Sequence, residues 1–253
     1  MNEENSKGII YYTDSRLLEP VSSVVRKFIS DSGLPIVSCS LNKPLDFGKN
    51  IVYEGSRGYC AMMNQIKIAL ENLDTKYVFF CEHDVLYHSS HWKFCPKEDD
   101  VFYYNINNWR FWAPGGWAIT YDELHSLSGM CCNREFALDH YKRRIAKMEE
   151  LGLDQFRSRE PRMARKWSYE PGTKQKRRGG FSDDKFETWK SELPNVDIRH
   201  TRTFSSPKIN LSDFKHPPTN WQQIDYKDIP GWDLDAIFDL QNMPLPFSLL
   251  SKR

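Results

Sequence analysis

Three residues, Glu82-His83-Asp84, carry the clearest chemistry in this sequence. Two carboxylates with one residue between them, at the end of a strand, can turn to the same side and share a divalent cation. Hard cations such as Mg²⁺ and Mn²⁺ take oxygen ligands and keep positions open for phosphate oxygens. A departing diphosphate needs that neutralisation, because its oxygens gain charge in the transition state. An acidic turn after a strand is also an ordinary structural feature, so placement has to separate the two readings. The triplet directly follows the apolar run Tyr77-Val78-Phe79-Phe80-Cys81, and in open α/β sheets ligands bind outside the carboxyl ends of the strands.

The surrounding elements are those needed to hold such a strand. A run that is apolar at every position is expected in the centre of a parallel sheet, covered on both faces. Before it, Tyr59, Met62, Met63, Ile66, Ala69, Leu70 and Leu73 recur at spacings of three and four. They predict a four-turn amphipathic helix that begins at Ser56 or Gly58. Residues 8–12 predict a first strand closed by Thr13-Asp14-Ser15. Ser15 is expected to cap a helix whose face is Leu17, Val21, Val24, Val25, Phe28 and Ile29, with Pro20 near its start. Residues 34–39 predict a second strand, and 101–105 and 117–120 two more, with 107–116 as a loop between them. A basic helix is expected over 136–151, then a loop over 152–180; the last third has little periodicity. The pattern predicts one α/β domain with a wrapped C-terminal extension.

Composition narrows the class. The chain has 253 residues, 40% apolar and 27% charged, with 8 Trp, 12 Tyr and 15 Phe; that aromatic load excludes disorder. No apolar run is long enough for a membrane span, and the polar, acidic first residues carry no signal-peptide pattern. The six cysteines include no C-x-x-C pair and are expected to be reduced thiols in a cytoplasmic protein. The net charge of +1 conceals an asymmetry: thirteen Lys/Arg against five Asp/Glu lie between Tyr141 and Arg178. One cationic segment on an otherwise acidic chain suits a polyanionic partner, and a solvated helix face followed by a loop gives the same count.

The segments Gly58-Tyr59-Cys60-Ala61-Met62-Met63-Asn64-Gln65 and Phe79-Phe80-Cys81-Glu82-His83-Asp84 resemble the core of the GT-A nucleotide-sugar glycosyltransferases. In that fold a helix with an Asn near its start leads into a buried strand that ends in an Asp-x-Asp metal motif; this chain has Glu-His-Asp there. The resemblance covers residues 7–125. It implies a single Rossmann-like GT-A catalytic domain with a mixed central sheet over 1–210, with a donor- and metal-binding half (1–125) and an acceptor half (126–210), and an extension over 211–253 packed on it. It implies Mn²⁺ or Mg²⁺ on Asp84, with Glu82 acting through water or the donor ribose and His200 completing the shell. A UDP-sugar donor would meet Thr13, Asp14, Arg57 and Asn64, with Gly115 and Gly116 beside Trp112 and Trp117 along the sugar. Helix capping accounts for Asp14 as well, and a hairpin with packed tryptophans accounts for the glycines.

Tyr169-Glu170-Pro171-Gly172, residues 194–200, Trp221 and residues 225–232 resemble, at the level of short motifs, a group of bacterial and phage GT-A-like transferases. An inverting member needs a carboxylate base; Glu170, Asp183 and Asp184 are the candidates, although Ser182-Asp183-Asp184 reads equally as a helix N-terminus. A retaining member needs none. Lys174, Lys176, Arg177 and Arg178 suit phosphate contacts, and Trp109 and Trp112 could assist a flipped base. The expected acceptor is therefore a 5-hydroxymethylpyrimidine in DNA, as in the class of the base J glucosyltransferase, with polysaccharide, lipid or protein as alternatives. No obligate protein partner is implied. A non-catalytic DNA-binding module would explain the basic segment and leave the strand-end acids unexplained. A phosphohydrolase His-Asp pair would need to sit on helices with further His partners. No glycine-rich ATP or dinucleotide fingerprint is present.

Overall fold

The computed structural model describes residues 6–17, 19–122, 124–153, 167, 169–173, 181, 184–199 and 208–238. In chain order the elements are β1 (Lys7–Thr13), α1 (Val21–Ser30), β2 (Ile36–Leu41), β3 (Lys49–Tyr53), α2 (Tyr59–Asn72), β4 (Tyr77–Glu82), β5 (Val85–Leu86) and β6 (Val101–Asn105). They continue as β7 (Asn108–Trp112), β8 (Trp117–Thr120), β9 (Met130–Asn133), α3 (Arg134–Glu150), β10 (Lys185–Trp189), β11 (Asn195–Arg199), β12 (Gln222–Asp225) and α4 (Leu234–Phe238).

The expected α/β architecture with a mixed central sheet is present. Seven strands run in the order β10-β6-β9-β4-β1-β2-β3. β3, β2, β1 and β4 are mutually parallel, and β9 runs antiparallel between β4 and β6. The chain winds outward from β1 to β2 and β3, then returns through α2 to lay β4 on the other side of β1. The strand order therefore reverses between β1 and β4, and the crevice at their carboxyl ends is the natural ligand site of such a sheet. The register sets Tyr12 beside Glu82 there.

Alternate residues of β4 serve two cores. Val78 and Phe80 join Met63, Ile66 and Leu70 of α2 and Leu138 and Tyr141 of α3. Phe79 and Cys81 join Val21, Val25 and Ile29 of α1, together with Phe111, Ala118, Val196 and Ile198. Those last four belong to a second sheet, ordered β12-β8-β7-β11-β5, which covers the main sheet beside α1. The described C-terminal residues add β12 to it and place Leu234 and Phe238 of α4 in the same core.

Several expectations are corrected. Helix α1 starts at Val21 with Pro20 at its N-cap; Ser15 is in a left-handed turn (φ 57°) and its N–H donates to Thr13 Oγ1 at 3.0 Å. Proline lacks the N–H that a preceding helical turn would use, so it sits at the helix start rather than inside it. Residues 107–116 are largely strand: β7 pairs antiparallel with β8 across a turn at 113–116. The alternation explains this, with Trp109 and Phe111 in the core and Arg110 and Trp112 half-buried on the other face. Lys185 begins a strand, not a helix. Helix α3 begins at Arg134 because the Asn133 side chain accepts the Phe136 N–H at 3.1 Å. All six cysteines are free thiols, and no helix among the described residues is long and apolar enough to cross a membrane.

Candidate functional site

The turn His83-Asp84 carries the chain from the end of β4 in the main sheet to β5 in the second. It delivers Glu82 and Asp84 to the outer face of that second sheet. Along β11, Val196 and Ile198 face the core, so Asp197 and Arg199 face the acids; along β7, Arg110 is register-paired with Asp197. The Asp84 carbonyl accepts the Ile198 N–H at 2.7 Å, which ties the acidic turn to β11.

The resulting cluster has three carboxylates and two guanidinium groups. Asp84 and Asp197 are 8% and 4% exposed, so most of their hydration is gone. Asp197 Oδ2 lies 3.4 Å from Arg199 Nη1 and 3.6 Å from Arg110 Nε. Tyr12 donates its hydroxyl to Glu82 Oε1 at 2.9 Å, and the Glu82 N–H donates to the Tyr87 hydroxyl at 3.0 Å. Arg110 donates from Nη1 to the Tyr121 hydroxyl at 2.9 Å.

Burial and mutual repulsion hold protons on the carboxyls of this cluster. Desolvation, then the Asp84 charge, push the Glu82 carboxyl up to about 8, against the pull of the Tyr12 hydrogen bond and Arg199. Burial and Asp84 also raise Asp197, although Arg199 and Arg110 oppose the shift. For Arg199, burial works against the charge and is outweighed by Asp197, Asp84 and Glu82, so its proton is held more tightly than usual. Added positive charge, or a ligand carrying a cation with it, would relieve this repulsion.

The other expected site residues are distributed unevenly. Thr13 ends β1 and is buried, its carbonyl accepting Gln65 Nε2 at 2.8 Å. Asp14 follows it at the same sheet edge and pairs with Arg57 Nε at 2.5 Å, just before α2. Asn64 bonds back to the Cys60 carbonyl at 2.9 Å within α2. Gly115 and Gly116 form the β7–β8 turn, both N–H groups donating to the Trp112 carbonyl. Gly116 has φ 74°, and a Cβ on Gly115 would overlap the Trp117 ring, so packing and turn geometry already require both glycines.

Asp184 is not beside these acids. It is buried under α3, with Oδ2 2.9 Å from His140 Nδ1 and Oδ1 3.3 Å from Arg143 Nη2. Glu170 acts by its charge on Tyr104, Tyr141 and, more weakly, Tyr121, and so lies between the two groups. Trp109 is in the core rather than available to a base, and Trp112 is half-buried. Among the cations of α3, Arg144 is 1% exposed and donates to the Trp167 and Tyr169 carbonyls, while Arg143 and Lys147 pair with acids. Asp183, His200, Lys174, Lys176, Arg177 and Arg178 lie outside the described residues.

Sequence reasoning missed Asp197, Arg110, Arg199, Tyr12 and Tyr121. The available signal was alternation: Val196-Asp197-Ile198-Arg199 and Trp109-Arg110-Phe111 both switch apolar and charged residues, which in a half-covered strand sends every charge to one face.

A metal is implied only by the resemblance of the triplet. Among the described residues no three His, Cys, Asp or Glu side chains are grouped to cage one. Mg²⁺-type binding through one or two carboxylates, with waters and donor phosphates supplying the rest, needs no such cage. Asp84 and Glu82 fit that mode, and their mutual repulsion is the observation that favours it.

No protein-family model matches the chain, and no curated protein matches it in sequence. Among solved structures it is similar to a glycosyltransferase "involved in the glycosylation of the major capsid of PBCV-1", with TM-score 0.40 and 11% identity, over 73% of this chain and 82% of that one. A likeness at that level carries no argument about fold or activity.

Proposed function

We propose that this chain is a glycosyltransferase that moves a sugar from a nucleotide-sugar donor, a UDP-sugar by the resemblance of residues 58–87, to a hydroxyl acceptor. The observation that carries the reading is the placement of Glu82 and Asp84, with Asp197, Arg110 and Arg199 beside them, at the carboxyl ends of β1 and β4. The nucleotide lies along Thr13, Asp14 and Arg57, which directs its diphosphate toward the cluster. A divalent cation bound by Asp84 and Glu82 would neutralise the leaving diphosphate. Arg110 and Arg199 donate to phosphate oxygens as charge develops on them, and Asp197 orients both guanidinium groups. Tyr12 fixes the Glu82 carboxylate through its hydroxyl. Glu170 is retained as the base for the acceptor hydroxyl, because Asp184 is engaged by His140 and Arg143.

The acceptor hydroxyl of a 5-hydroxymethylpyrimidine in DNA rests on the basic run alone, since Trp109, Arg143, Arg144 and Lys147 are committed to packing and pairing. The test is incubation with Mn²⁺ and a panel of UDP-sugars, reading UDP release, followed by mass spectrometry of DNA containing 5-hydroxymethylcytosine or 5-hydroxymethyluracil, of oligosaccharides and of peptides. Donor-dependent UDP release that Asp84→Asn abolishes is the expected result. A folded protein that releases UDP from no donor, with either metal, would overturn the proposal.

A further inference from the structure

Beside the acid cluster, on the far side of Tyr121, lies a cavity of about 210 Å³. It opens where β7 starts and β8 ends. Tyr121 and the edge of the largely buried Trp109 border it, and Asn107, Asp122, Lys190 and Gln222 are among its polar lining. We propose that this cavity is a subsite for a neutral saccharide unit, the acceptor's own sugar if the glycosyl-transfer reading on which that role rests is right.

The lining chemistry selects the ligand class. Amide side chains present donors and acceptors together, as sugar hydroxyls do, and the Tyr121 phenol adds apolar contact. One lysine and one carboxylate leave the lining without the cationic excess that a phosphate backbone needs. Its polar side chains exclude a lipid tail.

The rim is fixed before any ligand arrives. Asn107 Nδ2 donates to the Ser191 carbonyl at 2.8 Å and its own N–H to Asn105 Oδ1 at 3.0 Å. Asn220 adopts φ 52° and donates from Nδ2 to Asp122 Oδ2 at 2.6 Å, while the Asp122 N–H bonds the Thr219 carbonyl at 3.1 Å. Such preorganisation lowers the ordering cost of binding. Lys190, by contrast, makes no hydrogen bond or ion pair among the described residues and is exposed at the mouth. Tyr121 is the wall shared with the acid cluster: its hydroxyl receives Arg110 Nη1 at 2.9 Å. A sugar held here therefore lies one side chain from the Arg110–Asp197 pair, which is where an attacking hydroxyl is needed.

The experiment titrates neutral gluco-, galacto-, manno-, xylo- and fuco-oligosaccharides into the full chain by calorimetry and saturation-transfer NMR. The same series is repeated with Gln222→Trp, which fills the cavity, and with Lys190→Ala, which leaves it open. At least one saccharide is expected to bind, with affinity lowered about tenfold or more by Gln222→Trp and a few-fold by Lys190→Ala, the range of lost polar contacts. Asp84→Asn is expected to leave that binding intact. With donor present, Gln222→Trp raises the acceptor KM. Should Gln222→Trp fail to fold, Lys190→Ala decides alone. Saccharide affinity indifferent to these substitutions, no binding across the panel, or transfer only to hydroxymethylated DNA would each overturn the subsite. Binding that depends on Gln222 without any UDP release would instead refute the transferase reading and leave the subsite standing.

Discussion

Two groups of buried charge, one under α3 and one at the ends of β1 and β4, are balanced in opposite ways. Under α3, one carboxylate, Asp184, meets His140 and Arg143, and Arg144 bonds two carbonyls at 3.0 Å and His140 Nε2 at 2.6 Å. Burial would raise the Asp184 carboxyl, yet His140, Arg143 and Arg144 hold it below its ordinary range. At the strand ends the described residues include three carboxylates and two arginines, and Glu82 and Asp197 are both pushed upward. The first group keeps its carboxylate charged inside the protein. The second holds protons on carboxyls at the edge of the sheet where ligands bind in such folds, and that difference marks it as the candidate binding site.

The comparison can be broken at either end. The largest effect is expected from Arg144→Met, which leaves His140 Nε2 and the Trp167 and Tyr169 carbonyls without their buried donor. Denaturant titration should show a loss of about 3–5 kcal/mol, as for several buried acceptors left unsatisfied. Asp84→Asn should act instead on turnover, cutting UDP release by roughly 10²–10³-fold, the range for a transition-state charge contact. A smaller drop, about tenfold in kcat/KM for the donor, is expected of Arg110→Lys, which keeps the charge and loses the planar fork.

Thermal melts against pH, without added metal, separate the two groups by sign. His140 is lowered to about 4, chiefly by burial and then by Arg144. Its contribution is therefore present above its ordinary value near 6.5 and lost as pH falls toward 4; Asp184 acts in the same direction. Glu82, raised to about 8, contributes stability at low pH that is lost as pH rises through 8. His140→Gln should flatten the acid limb of the curve and Glu82→Gln the alkaline limb. If both variants change the same limb, the contrast between the groups fails.

How far the sequence reached depended on whether a signal was local. The apolar run at Tyr77–Cys81 and the three-and-four spacing of α2 fixed their own elements, and the acids came with them. Asp197, Arg110 and Arg199 belong to another sheet, more than a hundred residues further on for β11, and only tertiary placement brings them to Asp84. Ser182-Asp183-Asp184 could not reveal that Asp184 lies under α3, because a buried pairing leaves no mark on its neighbours. Arg144 counted as surface charge in the basic segment, and its burial depends on the Trp167 and Tyr169 carbonyls that it holds.

The two-residue passage from β4 to β5 has a mechanical consequence. With one end paired into the main sheet and the other bonded to Ile198, it has no slack. Any tilt of one sheet over the other changes the spacing of Glu82 and Asp84 directly, so the pair acts as a strain gauge for the interface beneath it. Inserting a single glycine between His83 and Asp84 would uncouple the gauge while leaving both sheets intact.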